Sequence, residues 1–187
     1  MSFFDRMERR WGGIAFPGFL RYYALMHVMV FVVQMLRPDV GQMLEFDRAK
    51  ILSGEVWRVV TMFFSTSQFS GGNLFVSLLF LYFGVMFVFM VSDGLENAWG
   101  CFKTSLFYYT GMVAVVVMNF IYPVAIPGSG TVLYGAAFLA FATLFPRVEI
   151  LLFMILPVQV RFLGMFAGAL VLLNAFGRPW LLPFYLV

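Results

Sequence analysis

Charged residues leave two long gaps in this chain, one from Val59 to Ser92 and one from Thr104 to Phe145. A transmembrane helix needs about 20 apolar residues. Each gap therefore holds room for one span plus a re-entrant piece or a second span. The apolar runs between charges predict five spans. The first is YYALMHVMVFVVQML, 22–36, flanked by Arg21 and Arg37, whose long side chains reach the two interfaces, and ended by Pro38. The second is 73–92 and the third is 104–122. Pro123 and Pro127 break the third, and Gly128 and Gly130 loosen the link to the fourth, 131–145, which is short at about 22 Å. The fifth is 162–176, ended by Gly177 and Pro179. The run WLLPFYLV, 180–187, is expected to open a sixth helix that continues past it, since eight residues cannot cross a bilayer.

The polar segments between these runs predict the rest. Residues 39–58 form a charged loop outside the bilayer core, and EFDRAKILSGEVWRVVTMFF mixes charge with apolar residues as an interfacial helix does. DGLENAWGCFK is expected to be a short loop between the second and third spans. PRVEILLFMILPVQVR, 146–161, is apolar with charges near its ends and reads as a connection packed at the interface. MSFFDRMERRWGG reads as an amphipathic segment with Arg6, Arg9 and Arg10 on its polar side, and it lacks the compact apolar stretch of a cleavable signal. The expected organisation is an interfacial segment over 1–21 and a transmembrane domain over 22–187.

Composition strengthens the membrane reading. The chain is 63% hydrophobic, 20% aromatic and 11% charged. Soluble domains carry about 25% charged residues. A net charge of +3 with no basic stripe gives no reason to expect nucleic acid as a partner. The lipid bilayer is the expected partner. With five spans and a cytoplasmic N-terminus, Arg6, Arg9, Arg10, Arg21, Lys103, Arg147 and Arg161 fall inside. Arg37, Arg48, Lys50, Arg58 and Arg178 fall outside, so the positive-inside bias favours this orientation.

Little chemistry is visible. Cys101 is the single cysteine and His27 the single histidine, so neither a disulfide nor a zinc-type metal site is expected, and no cofactor is implied. His27 lies in the first span, where a hydrogen-bonded place inside the bundle is the expected role. The spans otherwise carry Gln34, Ser77, Asn119 and Asn174 but no acid, which argues against an ion-coupled transporter. Small residues at Gly135, Ala136, Ala140 and Ala142, and the pair Gly164 and Gly168, predict close helix packing.

Four pieces occur in order over 45–165: GEVWRVVTMFF, GLENAWGCFKTSLFYYTG, a small-residue helix ending LFP, and LLFMILPVQVRFL. In this the chain resembles the rhomboid and Derlin superfamily. The most specific parts are Trp57-Arg58 and the set Gly94, Glu96, Trp99 and Gly100. The resemblance implies a six-span helical core with the first loop lying in the membrane interface, so the expected fold is an all-α, rhomboid-like bundle of five complete transmembrane helices plus the start of a sixth. Read from the residues alone, Trp57 and Arg58 suit the headgroup level, the ring in the interface and the guanidinium on lipid phosphate. Glu96 suits a structural role, accepting backbone N–H groups at the head of the third span.

Rhomboid proteases carry their nucleophile in G-x-S-G at the head of the fourth span and their base on the sixth. Here PGSG keeps only Ser129-Gly130, and Ile126-Pro127 stand before Gly128. Aligned through LFP, the serine position falls near Thr131. Aligned through the Gly-Ala step, it falls on Tyr134. The segment reads as a turn in which proline sets the bend and glycines supply positive φ. The resemblance to Derlins implies a protein without protease activity that handles client membrane proteins. Two alternatives stand beside it: an active serine protease using Ser129, and a structural subunit docking through Gly164 and Gly168.

Overall fold

The computed structural model describes residues 3–37, 39–65, 74–121, 129–152 and 156–177. Nine helices and one hairpin make up the described chain: α1 (Phe3–Trp11), α2 (Phe19–Leu36), α3 (Asp39–Leu44), α4 (Arg48–Leu52), α5 (Arg58–Thr61), α6 (Leu74–Trp99), α7 (Cys101–Ile121), α8 (Ser129–Leu144), β1 (Glu149–Leu152), β2 (Leu156–Gln159) and α9 (Val160–Gly177). Short 3-10 turns cover Gly12–Ile14 and Met62–Phe64. Among the described residues three stretches are long and apolar enough to cross a membrane, Arg6–Leu36, Phe75–Trp99 and Cys101–Ile121. Val132–Leu144 and Val160–Leu173 are apolar but shorter. Residues 180–187, expected to open a sixth helix, lie outside the described residues.

The charged loop after the first span is three short helices rather than one interfacial helix. Asp47 caps α4, its carboxylate accepting the N–H groups of Ala49 and Lys50 at 3.0 and 3.2 Å. Gly54 at φ +118° turns the chain before α5.

The largest departure from expectation follows the second span. DGLENAW is not a loop but the last turns of α6, and Gly100 alone joins α6 to α7. Asp93 is tolerated there because Arg21 of α2 pairs with it. Gly100 has φ +85° and its N–H bonds to the Glu96 carbonyl at 2.9 Å, a glycine ending a helix in the left-handed region. Thr104 Oγ1 lies 3.0 and 3.3 Å from the carbonyls of Gly100 and Leu95, so its one proton serves either of them, Leu95 being an acceptor in the last turns of α6.

The segment 146–161 also differs. It holds an antiparallel hairpin in which Glu149 pairs with Gln159 and Leu152 with Leu156. Val148, Ile150, Val158 and Val160 alternate along it, the spacing a strand requires. Val160 donates back to the Val148 carbonyl at 2.8 Å and leads directly into α9.

The core lies where α2, α6, α7 and α8 meet, with Leu95, Tyr108 and Ala137 fully buried in it. Outward-facing positions are apolar as well, among them Phe75, Tyr82, Val113 and Phe166, as a bundle in lipid requires.

Candidate functional site

Tyr23 and His27 stand one turn apart on α2 and face α8 and the Met62–Phe64 turn. The His27 ring lies 4.7 Å from that of Tyr23, 5.3 Å from Tyr134 and 5.9 Å from Phe64, centroid to centroid. Its Nδ1 is 3.0 Å from the Tyr23 carbonyl and 3.1 Å from the Tyr134 hydroxyl. Tyr23 donates its own hydroxyl to the Phe63 carbonyl at 2.7 Å. Nδ1 serves one partner in each tautomer: protonated it donates to the carbonyl, unprotonated it accepts from the phenol. In both, buried Nε2 keeps the ring's remaining hydrogen-bonding capacity and meets no partner among the described residues.

No hydrogen bond or ion pair from a carboxylate reaches His27 among the described residues, and no group of three potential metal ligands occurs among them. The expectation that His27 is hydrogen-bonded inside the bundle therefore agrees with its surroundings. Ser129 opens α8 and Thr131 lies in its first turn, and the side chains of both lie outside the described residues. Tyr134 is five residues past Ser129, about 7.5 Å along the helix and some 140° around it. Of the three alignments for the serine position, Tyr134 is the one whose side chain is described, and it meets the histidine.

The Trp57-Arg58 pair divides its work. Trp57 is 58% exposed, as a ring at the headgroup level is. Arg58 turns inward instead of toward lipid phosphate and is only 4% exposed. Its Nε donates to Glu55 Oε2 at 2.5 Å, and Nη1 to the carbonyls of Gln42 and Glu45 at 3.0 and 3.1 Å. The planar fork thereby binds α3, the following turn and α5 into one unit.

Glu96 has a different partner from the one expected. Oε1 accepts the backbone N–H of Gly18, the residue before α2, at 2.7 Å. Nearby, Ser105 Oγ accepts the Phe16 N–H at 3.0 Å, and the Tyr109 hydroxyl donates to the Ile14 carbonyl at 3.1 Å. Three side chains of α6 and α7 thus strap the Gly12–Gly18 linker. Neither Ser105 nor Tyr109 was expected at such a site, because a span residue bonding a distant backbone leaves no local pattern.

Packing separates the small residues. A Cβ at Gly94 would overlap the Phe141 ring of α8. A Cβ at Gly164 would come within 2.6 Å of the Ala142 methyl, so α8 and α9 meet there. Gly111, not singled out by its sequence context, lets Leu133 approach α7. Ala136 and Ala140 are half-buried. At Gly135 and Gly168 an added Cβ would meet nothing within 4 Å among the described residues. Trp99 packs its ring edge-on against Phe107 and closes the end of α6. Comparison with protein-family models, curated proteins and solved structures gives no match to this chain.

Proposed function

We propose that this chain is a rhomboid-like, multi-pass membrane protein that binds other membrane proteins without cleaving them. In this reading five spans and the start of a sixth form the bundle, and the N-terminus is cytoplasmic. The observation that carries the reading is the contact between His27 and Tyr134. The fourth span, to which the resemblance gives the nucleophile, meets the chain's single histidine through a tyrosine. A serine hydrolase needs its hydroxyl beside a base and a third group to orient that base. Among the described residues His27 has the Tyr23 carbonyl and the Tyr134 phenol as its partners. Client handling draws support from the length of α8, which has 16 residues. That is about 24 Å, shorter than the roughly 30 Å hydrocarbon core. A short helix thins the bilayer around it and lowers the cost of holding polar client segments.

Gly164 already packs inside the bundle against Ala142, which leaves the docking-subunit reading without half of its motif.

The test co-expresses the full-length gene with a panel of single-span reporters bearing polar residues at mid-span. Reporters co-purifying uncleaved, with no fluorophosphonate labelling of the chain, is the expected result. Reporter cleavage or labelling lost in Ser129→Ala or Thr131→Ala would overturn it in favour of an active protease. Absence of any reporter binding would remove the client-handling reading.

A further inference from the structure

Between α1 and the first turns of α7 lies an apolar cavity of about 240 Å³. Met7, Trp11 and Ile14 form one wall and Phe102, Leu106 and Tyr109 the other. The walls are tied together, since Tyr109 donates to the Ile14 carbonyl and Ser105 to that of Phe16. The cavity occupies the stretch Phe102–Tyr109 at the start of α7, about 12 Å of helix, which is the depth of the headgroup and upper acyl region. The segments that form it carry charge unevenly. On α1, Arg6, Arg9 and Arg10 outnumber Asp5 and Glu8, and Lys103 follows Phe102 on α7. Arg6 and Arg10 are exposed and lie on the same flank of α1, the first about 100° round the helix from Met7 and the second within a turn of it.

We propose that this cavity binds one anionic phospholipid of the surrounding leaflet. An acyl chain fills the space between α1 and α7, and Arg6 and Arg10 hold the phosphate above it. An apolar slot alone would take any lipid. Exposed Arg6 and Arg10, on the helix that forms one wall, select the anionic headgroup, because each arginine near the surface favours negative lipid. The α1 segment then docks against the bundle through a lipid as well as through its own side chains.

The full chain is reconstituted into phosphatidylcholine vesicles with graded phosphatidylglycerol, one of the two lipids carrying brominated acyl chains that quench indole. The Trp11 signal is the difference between wild type and Trp11→Phe. Brominated phosphatidylglycerol should quench Trp11 at a several-fold lower mole fraction than brominated phosphatidylcholine. Arg6→Gln and Arg10→Gln should each shrink that preference, and the double variant should abolish it, so that both brominated lipids quench at the same mole fraction. Ala15→Phe, which fills the cavity, should abolish the preference while the melting temperature holds; if that variant fails to fold, Leu106→Phe serves instead. Equal quenching by both lipids would overturn the proposal, and so would a preference that survives the double charge variant or the filled cavity.

Discussion

Glu96 and Gly18 are 78 positions apart in the chain, yet the carboxylate of one accepts the backbone N–H of the other at 2.7 Å. Gly18 begins the first transmembrane helix with φ +69° and has no side chain to cap it. The cap therefore comes from the end of α6. It supplies both an acceptor for an orphan N–H and negative charge at the positive end of α2.

Removing this acceptor leaves a buried N–H unpaired. Glu96→Ala should lower stability by about 1–3 kcal/mol. Glu96→Gln keeps an acceptor without the charge and should lose less. Thermal melting in detergent measures both, and equal, negligible losses would mean that the carboxylate is merely solvated.

The Gly94–Phe141 contact predicts a sharp steric effect. Gly94→Ala places a methyl in the Phe141 ring, and overpacking of this kind costs about 1–3 kcal/mol. Phe141→Leu should relieve part of it, and the double-mutant cycle reads that coupling directly. The same logic separates two glycines on α9. Gly164→Val should destabilise through Ala142, whereas Gly168→Val meets nothing within 4 Å among the described residues and should be nearly neutral. Similar melting temperatures for the two α9 variants would contradict the packing.

Arg58 should resist conservative replacement. Arg58→Ala leaves the Gln42 and Glu45 carbonyls without their donor and Glu55 without its counter-ion, a loss of about 1–3 kcal/mol. Arg58→Lys keeps the charge, but one ammonium cannot span Glu55 and both carbonyls as the fork does. It should therefore recover little, and Glu55→Gln should be milder than either. Full recovery by lysine in a melting experiment would show that charge alone suffices.

The long apolar helices were legible because charges bracket them, as Arg21 and Arg37 bracket the first. What escaped was decided by partners far along the chain. Asp93 and Gly94 look like loop residues until Arg21 neutralises one and Phe141 requires the other. Glu55 stands three residues before Arg58, a visible pairing, but nothing local announces that the carbonyls of Gln42 and Glu45 complete the set. In 146–161 the alternating valines and isoleucine were visible, yet Pro157 and the continuous apolar run disguise a hairpin. Gly135 and Gly164 look alike in sequence, and only the arrangement of helices decides which meets a neighbour. The candidate site was half legible. His27 stood out as the single histidine, and Tyr134 appeared only as one of three alignments, because proximity across α2 and α8 is a tertiary fact.

That proximity sets the last prediction. If Tyr134 donates to His27 Nδ1, the phenol and the imidazole form one unit, and removing either alone leaves the other short of its partner, whereas removing both does not. Tyr134→Phe keeps the ring beside Tyr23 and His27 but deletes the hydroxyl. His27→Phe keeps an aromatic ring in the same space and deletes both nitrogens. A hydrogen bond of this kind contributes about 0.5–1.5 kcal/mol. The double variant Tyr134→Phe with His27→Phe should therefore be more stable than the sum of the single losses by about that amount. It also removes buried Nε2, which has no partner among the described residues, so the double variant should lie close to wild type. Melting of the four proteins in one detergent completes the cycle. Strict additivity would show that the 3.1 Å approach contributes no coupling, and it would take away the contact on which the non-proteolytic reading of α8 rests.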